Sequence, residues 1–484
     1  MERKKLTEED VVHSIPLLRW WCVDRGYRFS AVTAKEAARQ GNLDVLKYLH
    51  ENECPWDCTT SDGAAGAGHL DVLKYAHENG CPWDEETCYW AARKGHLNVL
   101  KYAHENGCPW DERTCNWAAQ RGHLDVLKYA HENGCPWIKN TCAAAASGGH
   151  LEVLKYARKN GCPWDESSCS YAAMNGHLDM LMYLHENGCP WNAETCLRAA
   201  QGGHLHVLKW ARRQRCPWEP VAEVAKAAAM NGHVHVLKYL KELEYAFPQS
   251  LMSDAASKGH VDVVKYLQEQ GCPWDEKTCA FAARGGHLAV LRYLHENGCP
   301  WNEYTCSSAA EGGHLNVLKY AHVNGCPWDE YTCHYAAEGG HLDMLKYAHE
   351  NGCPWDEETC AGAAYGGHLD VLKYARLHGC PWNEETCTAA GFNMRLDILQ
   401  WAREKGCPWN STVFQGPTMN YNVKMFKWCK ENGAPFDIGE FIEHYDLLRS
   451  RDILDYLSSR DILDYLSSLS EEYDTRLREA GLSS

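Results

Sequence analysis

Cysteine and histidine recur in this sequence at a fixed spacing, so metal binding is the first chemistry to consider. Cys81, Cys88, His69 and His77 supply the ligand types of a Cys2His2 zinc site, and similar sets return along the chain. The ligands of such a site must converge on one point, and neither Cys-x6-Cys nor His-x7-His matches the usual ligand spacings. The sequence therefore favours thiols that pack as small buried hydrophobes, and we expect no metal and no cofactor.

Other chemical motifs are missing from the sequence. It contains no phosphate-binding loop, nucleophile elbow or paired-carboxylate motif. Glu85 and Glu86 stand where acidic residues begin a helix, which explains them without catalysis. We therefore predict that the protein is not an enzyme.

Composition excludes two further classes of function. The 484 residues carry a formal charge of −17, whereas phosphate-backbone and anionic-membrane binding require excess Lys and Arg. No run of 18 apolar residues occurs, and the first residues lack the apolar stretch of a secretory signal. We expect no nucleic-acid or membrane partner, and reduced thiols.

The 26 Cys and 20 Trp beside only 8 Phe indicate that one short segment has been copied many times. Cys-Pro-Trp occurs thirteen times, and eleven of the twelve intervals are 27 residues. The exception, from Cys216 to Cys272, spans two units, and its irregular part covers residues 219–250. With degenerate units at both ends we count about sixteen, which is typical of stacked helical repeats that bury a core only against their neighbours.

Each unit is predicted to contain two helices. In the copy that begins at Asp84, this residue is an N-cap and Gly95 ends a first helix. A second, amphipathic helix runs from His96 to Asn106, and Gly107 takes its left-handed C-terminal position. The histidine at the first turn of the second helix, His69 in another copy, is expected to hydrogen-bond the backbone of the neighbouring unit.

The string Ala-Ala-x-x-Gly-His-Leu-x-Val-Leu-Lys, which runs here from Ala91 to Lys101, resembles an ankyrin repeat. The ankyrin unit has 33 residues, and the six missing here fall where ankyrins carry a β-hairpin finger. The fold class is therefore predicted to be all-α, an ankyrin-like solenoid of helix-turn-helix units without the finger. Arrays with this linker are similar to ankyrin-type proteins of giant viruses and protists. The resemblance implies binding of a partner protein without catalysis, and it leaves the first helices as the binding face.

Comparison of the copies divides the first helix into two faces. Positions equivalent to Thr87, Cys88, Ala91 and Ala92 barely change, whereas those of Glu86, Tyr89, Trp90, Arg93 and Lys94 vary almost freely. We predict that the constant face packs and the variable face binds, with a lining that starts basic and becomes acidic and aromatic. The candidate partner-binding residues are Trp90, Arg93, Arg113, Trp117, Gln120, Tyr171, Arg198, Phe281, Tyr304, Glu311, Tyr331, Tyr335, Glu338 and Tyr365. The competing interpretation is neutral drift at exposed positions, or packing on the next repeat.

Three hypotheses for function follow. The favoured one is a monomeric, non-catalytic scaffold for a partner protein in the cytoplasm, or in the host-cell cytoplasm if the protein is viral. The alternatives are a substrate adaptor of a ubiquitin ligase, by family analogy, and a Cys/His metal-binding or redox protein.

The predicted organisation has three parts: an N-terminal tail (1–13), the repeat array (14–447), and a C-terminal capping helix and tail (448–484). In the last part, residues 451–459 are repeated in residues 460–468.

Overall fold

The computed structural model describes residues 12–25, 28–420 and 422–436, and these divide into two compact units at residue 246/247. The described residues contain helices and no strands, which confirms the predicted all-α array without a β-hairpin finger. Fifteen helix pairs follow a single helix, Ile15–Arg25, in agreement with the predicted number of about sixteen units. The predicted C-terminal cap and duplication, and most of the N-terminal tail, lie outside the described residues.

The unit of residues 1–246 contains eight pairs after Ile15–Arg25. Their first helices are Ala31–Arg39, Cys58–Ala67, Glu85–Lys94, Glu112–Arg121, Lys139–Gly148, Glu166–Met174, Ala193–Gln201 and Val221–Met230. Their second helices are Leu43–Glu51, Leu70–Glu78, Leu97–Glu105, Leu124–Glu132, Leu151–Lys159, Leu178–Glu186, Leu205–Arg213 and Val234–Glu242.

The unit of residues 247–484 contains seven described pairs. Six first helices are Ser250–Ser257, Glu276–Arg284, Glu303–Glu311, Glu330–Glu338, Glu357–Gly366 and Glu384–Phe392, and the seventh is a 3-10 turn, Ser411–Phe414, continued by Gln415–Met419. The second helices are Val261–Glu269, Leu288–Glu296, Leu315–Val323, Leu342–Glu350, Leu369–Leu377, Leu396–Glu404 and Val423–Glu431.

The first helix forms where its capping residues predict. The Asp84 side chain accepts the Glu86 N–H, and Gly95 ends the helix in the left-handed conformation with φ 81°. The constant face is buried: Thr87, Cys88 and Ala91 have no exposed surface. Val99, Leu100 and Ala103 of the second helix are equally buried, so each repeat contributes one strip of small and branched side chains to the core.

Contact between repeats depends on a glycine and a histidine. A Cβ built on Gly95 would lie 2.7 Å from the His123 ring of the next repeat. The imidazole thus lies flat against a backbone that has no side chain, and eleven such Gly–His pairs occur within the two units. The ring also bonds the preceding repeat: His233 Nε2 lies 2.9 Å from the Gln201 carbonyl, and His287 Nε2 lies 3.0 Å from that of Ser257. This confirms the predicted hydrogen bond of the histidine to the neighbouring backbone.

The linker cysteines close each repeat. All thirteen Cys-Pro-Trp thiols donate to the carbonyl of the residue 24 positions earlier, at 3.2–3.5 Å. Cys81, for example, donates to the carbonyl of Asp57, the N-cap of its own first helix. Burial raises the pKa of Cys81 to about 11, so the thiol stays protonated and able to donate.

The linker tryptophans pack on the second helices. The Trp83 ring stacks on His77 with the centroids 3.8 Å apart, and its edge contacts Tyr102 of the next repeat at 6.3 Å. Lys74 Nζ lies over the same Tyr102 ring at 5.4 Å. Where arginine replaces the histidine, as at Arg158, the guanidinium lies over the Trp164 ring at 4.2 Å.

One position of the variable face is a packing position. Tyr89 was predicted to point outward, but it is buried, as are its equivalents Ala143, Ser170 and Ser307. The reason is that neighbouring first helices pack side by side and cover this position. A polar residue at the position equivalent to Tyr89 accepts a hydrogen bond from the buried threonine of the next repeat. Thr87 donates to Asp62 at 2.8 Å, and Thr141 donates to Asn116 at 2.6 Å.

We predict that Gly95→Ala destabilises the protein more than Gly80→Ala does. Both glycines have φ 81°, so alanine costs each about 1–2 kcal/mol of backbone strain. A Cβ at Gly95 also meets His123 at 2.7 Å, whereas nothing lies within 4 Å of one at Gly80. The collision adds about 1–3 kcal/mol. Urea unfolding followed by circular dichroism measures the difference, and equal losses would contradict the histidine contact.

The half-buried Asp62 carboxyl should make the stability of the protein depend on pH. Burial is the main cause that raises the pKa of Asp62 to about 6, with Asp84 and Glu86 adding to it. The folded state therefore holds a proton that the unfolded chain releases near pH 4, so Asp62 lowers stability as the pH rises from about 4 to 6. Asp62→Asn keeps an acceptor for Thr87, and it should increase the free energy of unfolding at pH 7 but not near pH 4.

The converse variant is the control. Asn116→Asp places a carboxylate in the equivalent position and should lower stability at pH 7. Urea unfolding between pH 4 and pH 7 measures both effects. A loss of stability in Asp62→Asn, or a gain of the same size at every pH, would contradict the pH effect of the buried carboxylate.

Candidate protein-binding face

The positions equivalent to Glu86, Trp90 and Arg93 form one stripe along each first helix, because they are spaced i, i+4 and i+7. We call this stripe the first-helix face. Within the described residues, every exposed Phe, Trp or Tyr except Trp20 lies on it. These residues are Tyr171, Phe281, Tyr304, Tyr331, Tyr365 and Phe392.

In the unit of residues 1–246, several predicted binding residues contact one another. The Arg93 guanidinium lies over Trp117 at 4.4 Å and over Trp90 at 5.0 Å, and it donates to the Tyr89 hydroxyl at 3.0 Å. Trp90 and Trp117 are half-buried, and Trp90 also packs over Gly66 of the preceding repeat. These side chains support the stack as well as face outward.

Two charged residues of this unit are held by carboxylates. Arg113 pairs with Asp111 at 2.7 Å and with Glu86, and these bonds raise the pKa of the guanidinium. Arg198 pairs with Glu194 at 2.7 Å. Both pairs are half-exposed and orient the arginines, but such pairs contribute little to stability.

Two open grooves cross the first-helix face of this unit. One, of about 460 Å³, has Lys35, Arg39, Trp90 and Lys94 around the half-buried Asp62. The other, of about 320 Å³, includes Trp117, Gln120 and Tyr171, and the Tyr171 side chain is exposed. Charges of both signs line the first groove, so its chemistry does not select a ligand of one charge.

In the unit of residues 247–484, the aromatic residues of the face stand further out. Tyr304 is 64% exposed and Tyr331 52%, and Phe281 is exposed as well. Tyr335 is half-buried beside Tyr331, and burial together with Glu311 and Glu338 raises its pKa.

The two acidic candidates in this unit have different surroundings. Glu311 forms an ion pair with Arg284 of the preceding repeat. Glu338 lies 3.5 Å from His334 and faces a third groove, of about 400 Å³, which Tyr365 also lines.

The structure adds candidates that the sequence comparison passed over. Phe392 is exposed and lines the same groove as Tyr365, from which it is separated by one repeat length. Glu385 lines that groove too. The 27-residue period was a sufficient signal for both, since they occupy the positions equivalent to Arg93 and Glu86.

The residues considered as zinc ligands are engaged elsewhere. The Cys81 thiol donates to the Asp57 carbonyl, His77 stacks on Trp83, and His69 lies against Gly41. Among the described residues, one group of three potential metal ligands does converge: Cys58, Asp62 and Asp84, with donor atoms within 4.8 Å of one another.

These three groups are joined by hydrogen bonds of their own. Thr87 donates to Asp62, the Glu86 N–H donates to Asp84, and a hydrogen bond to Asp84 raises the pKa of the Cys58 thiol. Three donors also fall one short of the four ligands of a structural zinc site. The arrangement is accounted for by helix capping and packing.

No helix in the described part of the chain combines the length and the apolar character needed to span a membrane.

The first-helix face offers aromatic side chains, charges and shallow grooves. These features suit contact with another macromolecule more than the enclosure of a small molecule.

Two solved structures have similar chains. The human ASB11 ankyrin repeat domain is 18% identical, covers 32% of this chain and 84% of its own, and has a TM-score of 0.29. The pentatricopeptide repeat protein PPR10 from maize is 14% identical, covers 94% of this chain and 81% of its own, and has a TM-score of 0.30. No curated protein sequence matches this chain.

The sequence family described as "Ankyrin repeats (many copies)" matches residues 88–131 and 169–212. Each match starts at the buried cysteine of a first helix and ends in a later second helix, so it includes the Gly–His contact described above. The same unit recurs in both halves of the chain. The chain therefore contains ankyrin repeats, and its repeats follow a 27-residue unit.

Proposed function

We propose that this protein is a non-catalytic scaffold that binds a partner protein through the first-helix face. Ankyrin repeats generally mediate protein–protein interaction. The observation that carries the proposal is the location of the exposed aromatic side chains, which lie on the first-helix face with Trp20 as the exception among the described residues. Exposed aromatic residues are the commonest anchors of protein interfaces.

The rest of the repeat supports the same face. Aromatic residues of the linkers and second helices pack against other residues of the repeat array. Trp83, for example, stacks on His77 and makes an edge contact with Tyr102. Those residues are nearly identical between copies, which suits a structural role. The first-helix face differs from copy to copy, and an extended partner would contact a different set of side chains on each repeat.

The exposed aromatic residues are better tests of binding than the half-buried ones. Replacing Trp90 or Trp117 would remove contacts with Arg93 and weaken the stack. Phe281, Tyr304 and Tyr331 are exposed and belong to one unit, so Phe281→Ser, Tyr304→Ser and Tyr331→Ser should leave folding intact.

We predict that the variant with all three changes loses a partner captured by the unaltered protein from cell lysate, as measured by quantitative mass spectrometry. Each aromatic anchor contributes about 2 kcal/mol or more, so binding should fall by well over tenfold. The matched control is Val323→Ser with Leu377→Ser, which removes exposed apolar side chains at the ends of second helices in the same unit. Loss in the control, or retention in the triple variant, would contradict the assignment of the face.

A further inference from the structure

The third groove lies on three consecutive first helices, Glu330–Glu338, Glu357–Gly366 and Glu384–Phe392. Its volume is about 400 Å³, and its base is made of small residues such as Ala361 and Gly362. Because these side chains are small, the helices leave a depression between larger side chains on either side. A depression of this size accepts one long side chain of a partner.

The groove is strongly acidic. Glu338, Glu358 and Glu385 line it, and no Lys or Arg does so. The four first helices between residues 303 and 392 contain eight Glu and no Lys or Arg, so the acidic character extends beyond the groove itself. Within the described residues, neither Glu358 nor Glu385 forms an ion pair, which leaves both carboxylates available to a cation from outside the chain.

A histidine arranges one side of the groove. His334 Nδ1 donates to the Glu358 carbonyl at 2.9 Å, and a Cβ added at Gly362 would lie 3.1 Å from the same ring. The ring is thus wedged between two repeats, with its Nε2 3.5 Å from Glu338. The hydrogen bond from His334 to the Glu358 carbonyl joins the first helices of the two repeats beside the groove.

Two aromatic rings complete the lining. Tyr365 and Phe392 occupy the same position in successive repeats, and they are 46% and 40% exposed. Aromatic faces attract cations, and a planar guanidinium both stacks on a ring and bonds a carboxylate through two N–H groups. A lysine ammonium has neither the planar surface nor the paired donors.

We propose that this groove binds an arginine side chain from a basic segment of the partner protein. The inference rests on the proposed function and specifies its chemistry in one unit: Glu358 and Glu385 bond the guanidinium, and Tyr365 and Phe392 pack against its plane. The exposed carboxylates of the neighbouring first helices attract the rest of the basic segment.

The test uses the full chain and three fluorescent peptides that share a Gly/Ala/Ser background and differ in carrying three Arg, three Lys or three Glu. Fluorescence anisotropy at low salt measures binding. The arginine peptide should bind most tightly, the lysine peptide more weakly, and the glutamate peptide not at all. Glu358→Gln and Glu385→Gln should each weaken arginine binding by about tenfold, because each removes a charged hydrogen-bond acceptor.

Glu296→Gln is the matched control, since it makes the same change of charge at an exposed residue of a second helix in the same unit. Phe392→Leu tests the aromatic contribution and should also weaken binding. Equal binding of the arginine and lysine peptides would overturn the proposal, as would equal effects of Glu296→Gln and Glu358→Gln. Circular dichroism and the urea midpoint identify any variant that fails to fold.

The groove and the wider face can fail separately. Phe281, Tyr304 and Tyr331 do not line this groove. Partner capture that depends on those three residues, together with an arginine peptide that does not bind, would overturn the groove and leave the proposed function intact. If the arginine peptide binds at the groove but partner capture does not depend on the three aromatic residues, the proposed function is overturned and the groove assignment stands.

Discussion

The close approach of a histidine ring to a glycine backbone is the contact on which the stacking of repeats within each compact unit depends. It requires three features at once: a glycine with positive φ to end one helix, no side chain on that glycine, and an imidazole at the start of the second helix in the next repeat. The ring then bonds a carbonyl of the preceding first helix, as His233 does with Gln201. Burial lowers the pKa of five of these histidines, His96, His150, His204, His287 and His341, which favours their neutral form.

The same spacing explains the unusual composition. Each linker cysteine closes its repeat through a thiol hydrogen bond. Twelve of the thirteen linker tryptophans pack against a histidine or an arginine at the end of the second helix, and the exception, Trp274, follows Gln268. A 27-residue unit has no room for a β-hairpin between its helix pairs, and in the described residues a connection of six or seven residues takes that place. Cysteine and tryptophan are therefore numerous because one packing arrangement is repeated, and most of the thiols are too buried to react readily.

Positions of the first helix that are constant between repeats are buried, and most of the variable positions face outward. One variable position is an exception. Tyr89 varies between copies and is nevertheless buried between first helices. Small residues at its equivalents, such as Ala361, let the helices approach and leave the depressions that become grooves. The acidic groove beside Tyr365 thus follows from small side chains next to large ones. Its negative charge arises because the neighbouring first helices lack Lys and Arg.

The sequence by itself determined the period, the two helices of each unit, their capping residues and the buried face of the first helix. These features depend on local signals: Asp at the N-cap, Gly at the C-terminus and apolar spacing along a helix. It also located the stripe on which the exposed aromatic residues lie. Only the tertiary structure decided which of those residues are free to bind. Arg93 and Trp117 pack against each other, whereas Tyr304 and Phe392 remain exposed. The burial of each side chain depends on which residues the neighbouring repeat places against it.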